Sequence, residues 1–95
     1  MTDTELIKHV KKIIGKYLPG QRVIYFFGSR TTGRHTGHSD YDFGIDTGNK
    51  IPLDIMCRMK EELERVPTLH RIDLVDFQRA SSTFKDYAKR NAILL

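Results

Sequence analysis

Residues 23–45 read VIYFFGSRTTGRHTGHSDYDFGI, and the character of this stretch changes twice. A continuous apolar run from Val23 to Phe27 ends at a glycine, and a basic segment rich in glycine and hydroxyl groups follows. From Asp40 onward, acidic or small residues alternate with apolar ones. The continuous run is typical of a buried strand, and the alternation predicts a second strand with one apolar face and one acidic face. The connection between these strands therefore predicts a site with one half suited to an anion and the other to a cation.

The rest of the chain shows alternating helical and strand patterns around this pair. A first helix is predicted to begin at a Thr2–Glu5 capping box and to end at Pro19–Gly20, and a short helical turn is predicted near Ser29. A second long helix is predicted from Pro52 to Pro67, followed by a strand over Arg71–Phe77. The last helix is predicted to be capped by Ser82 or Thr83, and the final segment, Ala92–Leu95, is either an edge strand or a partner contact. The order α-β-(short α)-β-α-β-α predicts an α/β (α+β) fold, with a small mixed β-sheet packed by helices.

Composition and charge limit the classes of protein to consider. Ninety-five residues, 39% of them hydrophobic, predict a single soluble domain over residues 1–95, because the chain is too short for two cores. No run approaches the roughly 18 apolar residues of a membrane span, and the N-terminus does not resemble a signal peptide, so we predict a cytoplasmic protein without a membrane segment. The single cysteine, Cys57, excludes an internal disulfide and is predicted to be a buried apolar residue. The net charge of +4 is concentrated before residue 39, which indicates either an acidic partner or, more simply, the solvated face of the first helix.

The anion half of the site is predicted from Gly28, Ser29 and Arg30. A strand that ends in this triplet offers backbone N–H groups, a hydroxyl and a guanidinium to a polyphosphate. The triplet alone is also common in plain turns, so it decides little without the residues that follow. The G-x-x-x-x-G-K-[ST] pattern is absent, which excludes a P-loop.

The cation half is predicted from Asp40 and Asp42. On a strand their side chains share one face, about 6 to 7 Å apart at roughly 3.3 Å per residue. Each carboxylate disfavours the charge of the other, which a divalent cation would relieve; a solvated edge strand is the alternative. Asp73 supplies a third carboxylate if its strand lies beside this one, as a metal ligand and as the base that helps deprotonate an incoming hydroxyl; an ion-paired or edge residue is the alternative. Asp76, on the opposite face of that strand, is predicted to lie on the surface.

Three carboxylates and a phosphate cradle suit Mg²⁺, which prefers oxygen ligands and is commonly shared with substrate phosphates. Two such ions about 3.5 to 4 Å apart would serve an in-line displacement at phosphorus. The histidines are weaker candidates. His35 and His38 flank the loop without a third zinc ligand, and His9 and His70 are predicted to be surface residues.

These motifs resemble a known signature. The segments Gly28-Ser29-Arg30 and Ser39-Asp40-Tyr41-Asp42, with Gly33 between them, resemble the nucleotidyltransferase signature of the DNA polymerase beta superfamily. The segment Arg71–Asp76 and the length of the chain narrow the resemblance to the minimal nucleotidyltransferases of bacteria and archaea. The resemblance covers most of the chain and implies a nucleotidyltransferase palm-like fold.

The resemblance also implies roles for individual residues. Gly28 and Ser29 would hold the triphosphate, while Arg30 and Ser39 fall on motif positions near the phosphates and the metal-binding strand. The implied metal ligands and catalytic residues are Asp40, Asp42 and Asp73.

The implied function is Mg²⁺-dependent transfer of a nucleoside monophosphate, AMP from ATP in the first instance, to an acceptor hydroxyl with release of pyrophosphate. The family works with separately encoded helical partners, either HEPN-type toxins that it neutralises by AMP transfer or helical substrate-binding subunits. The alternatives left open are the catalytic subunit of a two-component small-molecule transferase and a binding module that neutralises its partner by contact. Nucleic acid is a less favoured partner, because 95 residues leave little surface for a strand. A homo- or hetero-oligomer is compatible with the sequence.

Overall fold

The computed structural model describes residues 1–28, residue 31 and residues 40–95. Its helices and strands are α1 (Asp3–Tyr17), β1 (Val23–Phe27), β2 (Tyr41–Asp46), α2 (Leu53–Glu64), β3 (Ile72–Asp76), α3 (Ser82–Lys89) and β4 (Ile93–Leu94). This order confirms the predicted succession of elements. The short helical turn predicted near Ser29 lies outside the described residues.

The four strands form one mixed sheet in the order β3-β2-β1-β4. β1 pairs antiparallel with both β2 and β4, whereas β2 and β3 are parallel. The parallel pair requires a crossover, and α2 supplies it. The final segment of the chain is an edge strand, because Ile93 and Leu94 pair with Phe26 and Tyr25 of β1.

Helix α1 begins where the capping box predicts. The Thr2 hydroxyl accepts a hydrogen bond from the Glu5 backbone N–H at 3.2 Å, and the Thr2 N–H donates to the Glu5 side chain at 3.3 Å. These two bonds satisfy backbone donors that the first turn of a helix leaves unpaired. Helices α1 and α2 bury their apolar stripes with one face of the sheet, and the fully buried side chains of this core include Leu6, Val10, Ile14, Tyr41, Phe43, Ile45 and Met59.

The prediction that Cys57 is buried was wrong. Helix α2 turns Met56, Met59 and Leu63 toward the core. Residue 57 is one position beyond Met56, a rotation of about 100° around the helix, and its side chain is exposed.

The opposite face of the sheet has a smaller aromatic cluster under α3. Phe77 lies across this face with its ring 5.2 Å from that of Tyr25. A Cβ atom on Gly44 would come within 2.2 Å of the Phe77 ring, so only glycine allows the ring to lie there. Phe84 of α3 contacts Phe27 edge-on at 5.9 Å. The aromatic cluster therefore fixes α3 along β1, next to the end of the strand that leads into the predicted site.

The cap of α3 is one residue earlier than predicted. The hydroxyl of Ser81, rather than that of Ser82 or Thr83, accepts from the Phe84 backbone N–H at 3.1 Å.

Helices of a length and apolarity sufficient to cross a bilayer are not found in the described part of the chain.

Candidate active site

Asp42 and Asp73 lie opposite each other on adjacent strands. The parallel register of β2 and β3 pairs these two residues directly. Paired residues of neighbouring strands project to the same face of a sheet, so the two carboxylates share the face that carries α3. Both are partly buried. The structure thus brings together two predicted site residues that are 31 positions apart in the sequence.

Asp40 lies one residue before β2 and is also partly buried. Its effect on the pair is electrostatic. The pKa of Asp42 is raised above the ordinary value of an aspartate, first by burial and then by the negative charges of Asp73 and Asp40. Arg71 acts in the opposite direction and lowers the pKa of Asp42. The three predicted metal ligands therefore interact as like charges.

Gly28 brings the end of β1 against Asp42. Its φ angle is +94°, a conformation that residues with a side chain rarely adopt, and a Cβ atom there would lie 2.3 Å from Asp42 Oδ2. The N–H and hydroxyl of Thr31 both donate to the Gly28 carbonyl, at 3.1 and 2.8 Å. The beginning of the predicted phosphate cradle is thus in contact with one of the predicted metal ligands.

Ser29, Arg30 and Ser39 lie outside the described residues, and so do His35 and His38. Their predicted roles remain predictions.

The residues of this site fit a divalent cation by their chemistry. Carboxylate oxygens are the ligands that Mg²⁺ prefers, and a cation would offset the burial and the negative charges of Asp73 and Asp40 that raise the pKa of Asp42. In residues 1–28, 31 and 40–95, however, no set of three or more Asp, Glu, His or Cys side chains is arranged to hold a metal ion. One carboxylate oxygen of Asp73 is instead bound by Arg71, with Nε 3.1 Å from Oδ1.

Arg71 is a residue whose position in the site the sequence analysis missed. The sequence pattern predicted Arg71 only as the first residue of the third strand. Residues two apart on an extended chain share a face, so its spacing from Asp73 was a usable signal.

A cavity of about 420 Å³ opens beside this ion pair. It lies between the second half of α2 and the start of β3, and its lining includes Lys60, Glu64, Thr68, His70, Arg71 and Asp73. Ligand sites of small molecules commonly have volumes of this order. Of the predicted site residues within the described part of the chain, Asp73 lines this cavity, whereas Gly28, Asp40 and Asp42 do not.

The prediction that Asp76 lies on the surface was wrong. Asp76 is buried, and its carboxylate accepts from the backbone N–H groups of Ile51 at 2.8 Å and Gln78 at 3.0 Å. Arg79 lies 3.4 Å from it as an ion pair. Its side chain projects to the face of the sheet that α1 and α2 cover, opposite to Asp73. Strand alternation separated the two aspartates correctly but did not say which face was enclosed.

The two histidines within the described residues differ. His9 is exposed, as predicted. His70, predicted to be a surface residue, is partly exposed, and its ring packs edge-on against Tyr41 at 5.3 Å.

The sequence of the chain matches a family model and a known relative. The family model described as polymerase beta, nucleotidyltransferase matches residues 8–95. The Haemophilus influenzae protein named probable protein adenylyltransferase MntA is 29% identical over 94 residues, which cover 97% of this chain and 80% of that protein.

Solved structures show the same fold at low sequence identity. One is a tri-AMPylated Shewanella oneidensis HEPN toxin in complex with MNT antitoxin, with a TM-score of 0.76, 17% identity and coverage of 98% of this chain and 71% of the other. Another is a toxin–antitoxin structure with AMP-PNP, with a TM-score of 0.77, 20% identity and coverage of 98% and 72%. Because the family model spans most of the chain, the chain belongs to the polymerase beta nucleotidyltransferase family.

Proposed function

We propose that this nucleotidyltransferase moves AMP from ATP to a hydroxyl group of an acceptor and releases pyrophosphate. The observation that carries the proposal is the in-register pair of Asp42 and Asp73 with Gly28 packed against Asp42. The name of the Haemophilus influenzae relative, a protein adenylyltransferase, supports AMP as the transferred group and a protein as the acceptor.

The acidic residues would hold the metal and the end of β1 would hold the nucleotide. Asp40, Asp42 and Asp73 are the proposed ligands of Mg²⁺, expected as two ions. When bound, Mg²⁺ supplies positive charge that offsets the charge of the phosphates. The chain needs a glycine at position 28 to let the backbone turn so close to Asp42, and Ser29 with Arg30 would then reach the triphosphate.

The transfer itself requires a base close to the acceptor. The acceptor oxygen forms a bond to the α-phosphorus, while the bond from that phosphorus to the bridging oxygen breaks and its electron pair leaves with pyrophosphate. The hydroxyl proton passes to a carboxylate oxygen of Asp73, whose side chain is 35% exposed and borders the cavity. The main contributions of the protein are position and charge, and no covalent intermediate on the chain is needed.

A separately encoded helical protein is the proposed acceptor and partner. The solved structures of similar fold include a HEPN toxin in complex with MNT antitoxin, and that toxin carries AMP groups. By this analogy the chain acts as the antitoxin of a toxin–antitoxin pair and neutralises the toxin by AMP transfer. The exposed side chains of Ile93 and Leu94 on the edge strand β4 are compatible with neutralisation by contact, which is the competing proposal.

The first test is transfer by the purified protein, alone and with the product of its neighbouring gene. Both samples receive labelled ATP and Mg²⁺, and intact mass spectrometry reports any added AMP on either chain. We expect an adduct on the partner with the wild type and with Asp86→Asn, an acidic control on the exposed side of α3, but none with Asp42→Asn. An adduct that persists in Asp42→Asn would overturn the site assignment. A stable complex without an adduct would favour inhibition by contact, and turnover of ATP with a small hydroxyl compound alone would favour the two-component enzyme.

A further inference from the structure

The ion pair between Arg71 and Asp73 lies at the surface of the site and is partly exposed to solvent. The Arg71 side chain is 74% exposed and the Asp73 side chain 35% exposed. Exposed ion pairs contribute little to stability, because water competes for both charges. The pair joins residues two apart on one strand, so it connects no separate elements of the fold. A role as a structural link is therefore a poor explanation for this contact.

Its position points to a role in the site. Arg71 precedes β3 by one residue and shares the face on which Asp73 lies opposite Asp42. The guanidinium is thus a positive charge beside carboxylates that otherwise repel each other. A divalent cation held by Asp73 would require the same negative charge, and Arg71 Nε already binds Oδ1 at 3.1 Å. The arginine and the metal compete for one carboxylate.

We propose that Arg71 is a positioning residue that occupies Asp73 when no metal is bound and thereby weakens metal binding by the protein alone. This role of Arg71 rests on the proposed function. Asp40, Asp42 and Asp73 would hold a metal that accompanies an incoming nucleotide, and its positive charge would free Arg71 to turn from Asp73 toward the adjoining cavity, which it also lines.

The test is a titration with Mn²⁺ alone, without nucleotide, followed by electron paramagnetic resonance of the free ion. We expect Arg71→Gln to bind Mn²⁺ about five-fold more tightly than the wild type, because a competing charge has been removed. Arg58→Gln is the matched control. It removes the same formal charge from an exposed position of α2 and should leave Mn²⁺ affinity unchanged.

A double-mutant cycle assigns the effect to the ion pair. In an Asp73→Asn background, Arg71→Gln should no longer raise Mn²⁺ affinity, because the carboxylate for which the two cations compete has been removed. Equal or weaker Mn²⁺ binding by Arg71→Gln, including no binding by either protein, would overturn the proposal. So would a gain that persists in the Asp73→Asn background.

A separate variant distinguishes this proposal from the metal assignment itself. If Asp42→Asn binds Mn²⁺ as well as the wild type does, the ion lies elsewhere and the proposed site fails whatever Arg71 does. If Asp42→Asn loses Mn²⁺ while Arg71→Gln is unchanged, the site stands and only the role of Arg71 is lost. Circular dichroism on each variant checks that the fold is intact.

Discussion

The β2–β3 pair carries two aspartates at each end, and the two ends are built in opposite ways. At one end, Asp46 accepts hydrogen bonds from the Gln78 side chain and the Gly48 backbone N–H. Asp76 accepts from the backbone N–H groups of Ile51 and Gln78 and forms an ion pair with Arg79. The bonds from Gln78 and Gly48 hold the pKa of Asp46 below its ordinary value. At the other end, burial and two neighbouring carboxylates raise the pKa of Asp42. The same residue type is thus surrounded by hydrogen-bond donors at one end of the pair and by like charges at the other.

The largest expected effect is on activity at the like-charged end. Asp42→Asn removes a proposed metal ligand and almost no volume, so transfer should fall by about 100-fold or more while the fold is kept. Transfer rates and circular dichroism, measured side by side, check this. A variant that keeps its activity would mean that the like-charged end has no catalytic role.

At the opposite end the expected effect is on stability. Asp76→Ala leaves the N–H groups of Ile51 and Gln78 and the charge of Arg79 without their buried acceptor, and we expect a loss of about 3 kcal/mol in the free energy of unfolding. Asp73→Ala should cost much less, because its one ion pair is exposed. Urea unfolding of both variants gives the comparison. Equal losses would mean that the two ends do not differ as described.

Gly28, which contacts Asp42, and Gly48, which donates a hydrogen bond to Asp46, both have a positive φ and allow the two ends to be compared by substitution. Gly28→Ala and Gly48→Ala both place a side chain at an unfavourable φ, +94° and +86°, which costs about 1 kcal/mol each. Only at position 28 would the new Cβ meet Asp42, whereas nothing lies within 4 Å of a Cβ at position 48. We therefore expect Gly28→Ala to lose roughly 1 to 2 kcal/mol more and also to weaken Mn²⁺ binding. Indistinguishable unfolding curves would remove the contact between Gly28 and Asp42 from the argument.

The smallest expected effect is the pH dependence of stability. A raised pKa means that folded Asp42 holds its proton at a pH where the unfolded chain has released it, so stability falls as pH rises through that interval. Asp42→Asn should therefore match the wild type below the ordinary aspartate pKa and be more stable by less than about 1 kcal/mol at neutral pH. Asp46 has the opposite sign: its lowered pKa gives stability that is lost as pH falls through the folded value. Unfolding of the wild type, Asp42→Asn and Asp46→Asn from acidic to neutral pH separates the two contributions.

For Asp76 and Cys57, the sequence analysis lacked the same kind of information. It found the strands, the helices and the three candidate metal ligands, because hydrophobic periodicity, capping residues and acidic spacing are local patterns. It placed Asp76 on the surface and Cys57 in the core, and both placements are wrong. Alternation along a strand or rotation around a helix tells which side chains lie together, but not which side another element covers.

The sequence by itself therefore determined the order of elements, the end of the first strand at Gly28 and the identity of the acidic residues, since each depends on neighbours within a few positions. Only the tertiary structure decided that Asp42 stands opposite Asp73, that Arg71 binds that carboxylate, and that Asp76 faces the enclosed side of the sheet. The physical reason is that strand register and coverage arise from the packing of distant segments. A helix and its connections separate β2 from β3, and the parallel pairing that aligns their aspartates is fixed only when α2 packs on the sheet.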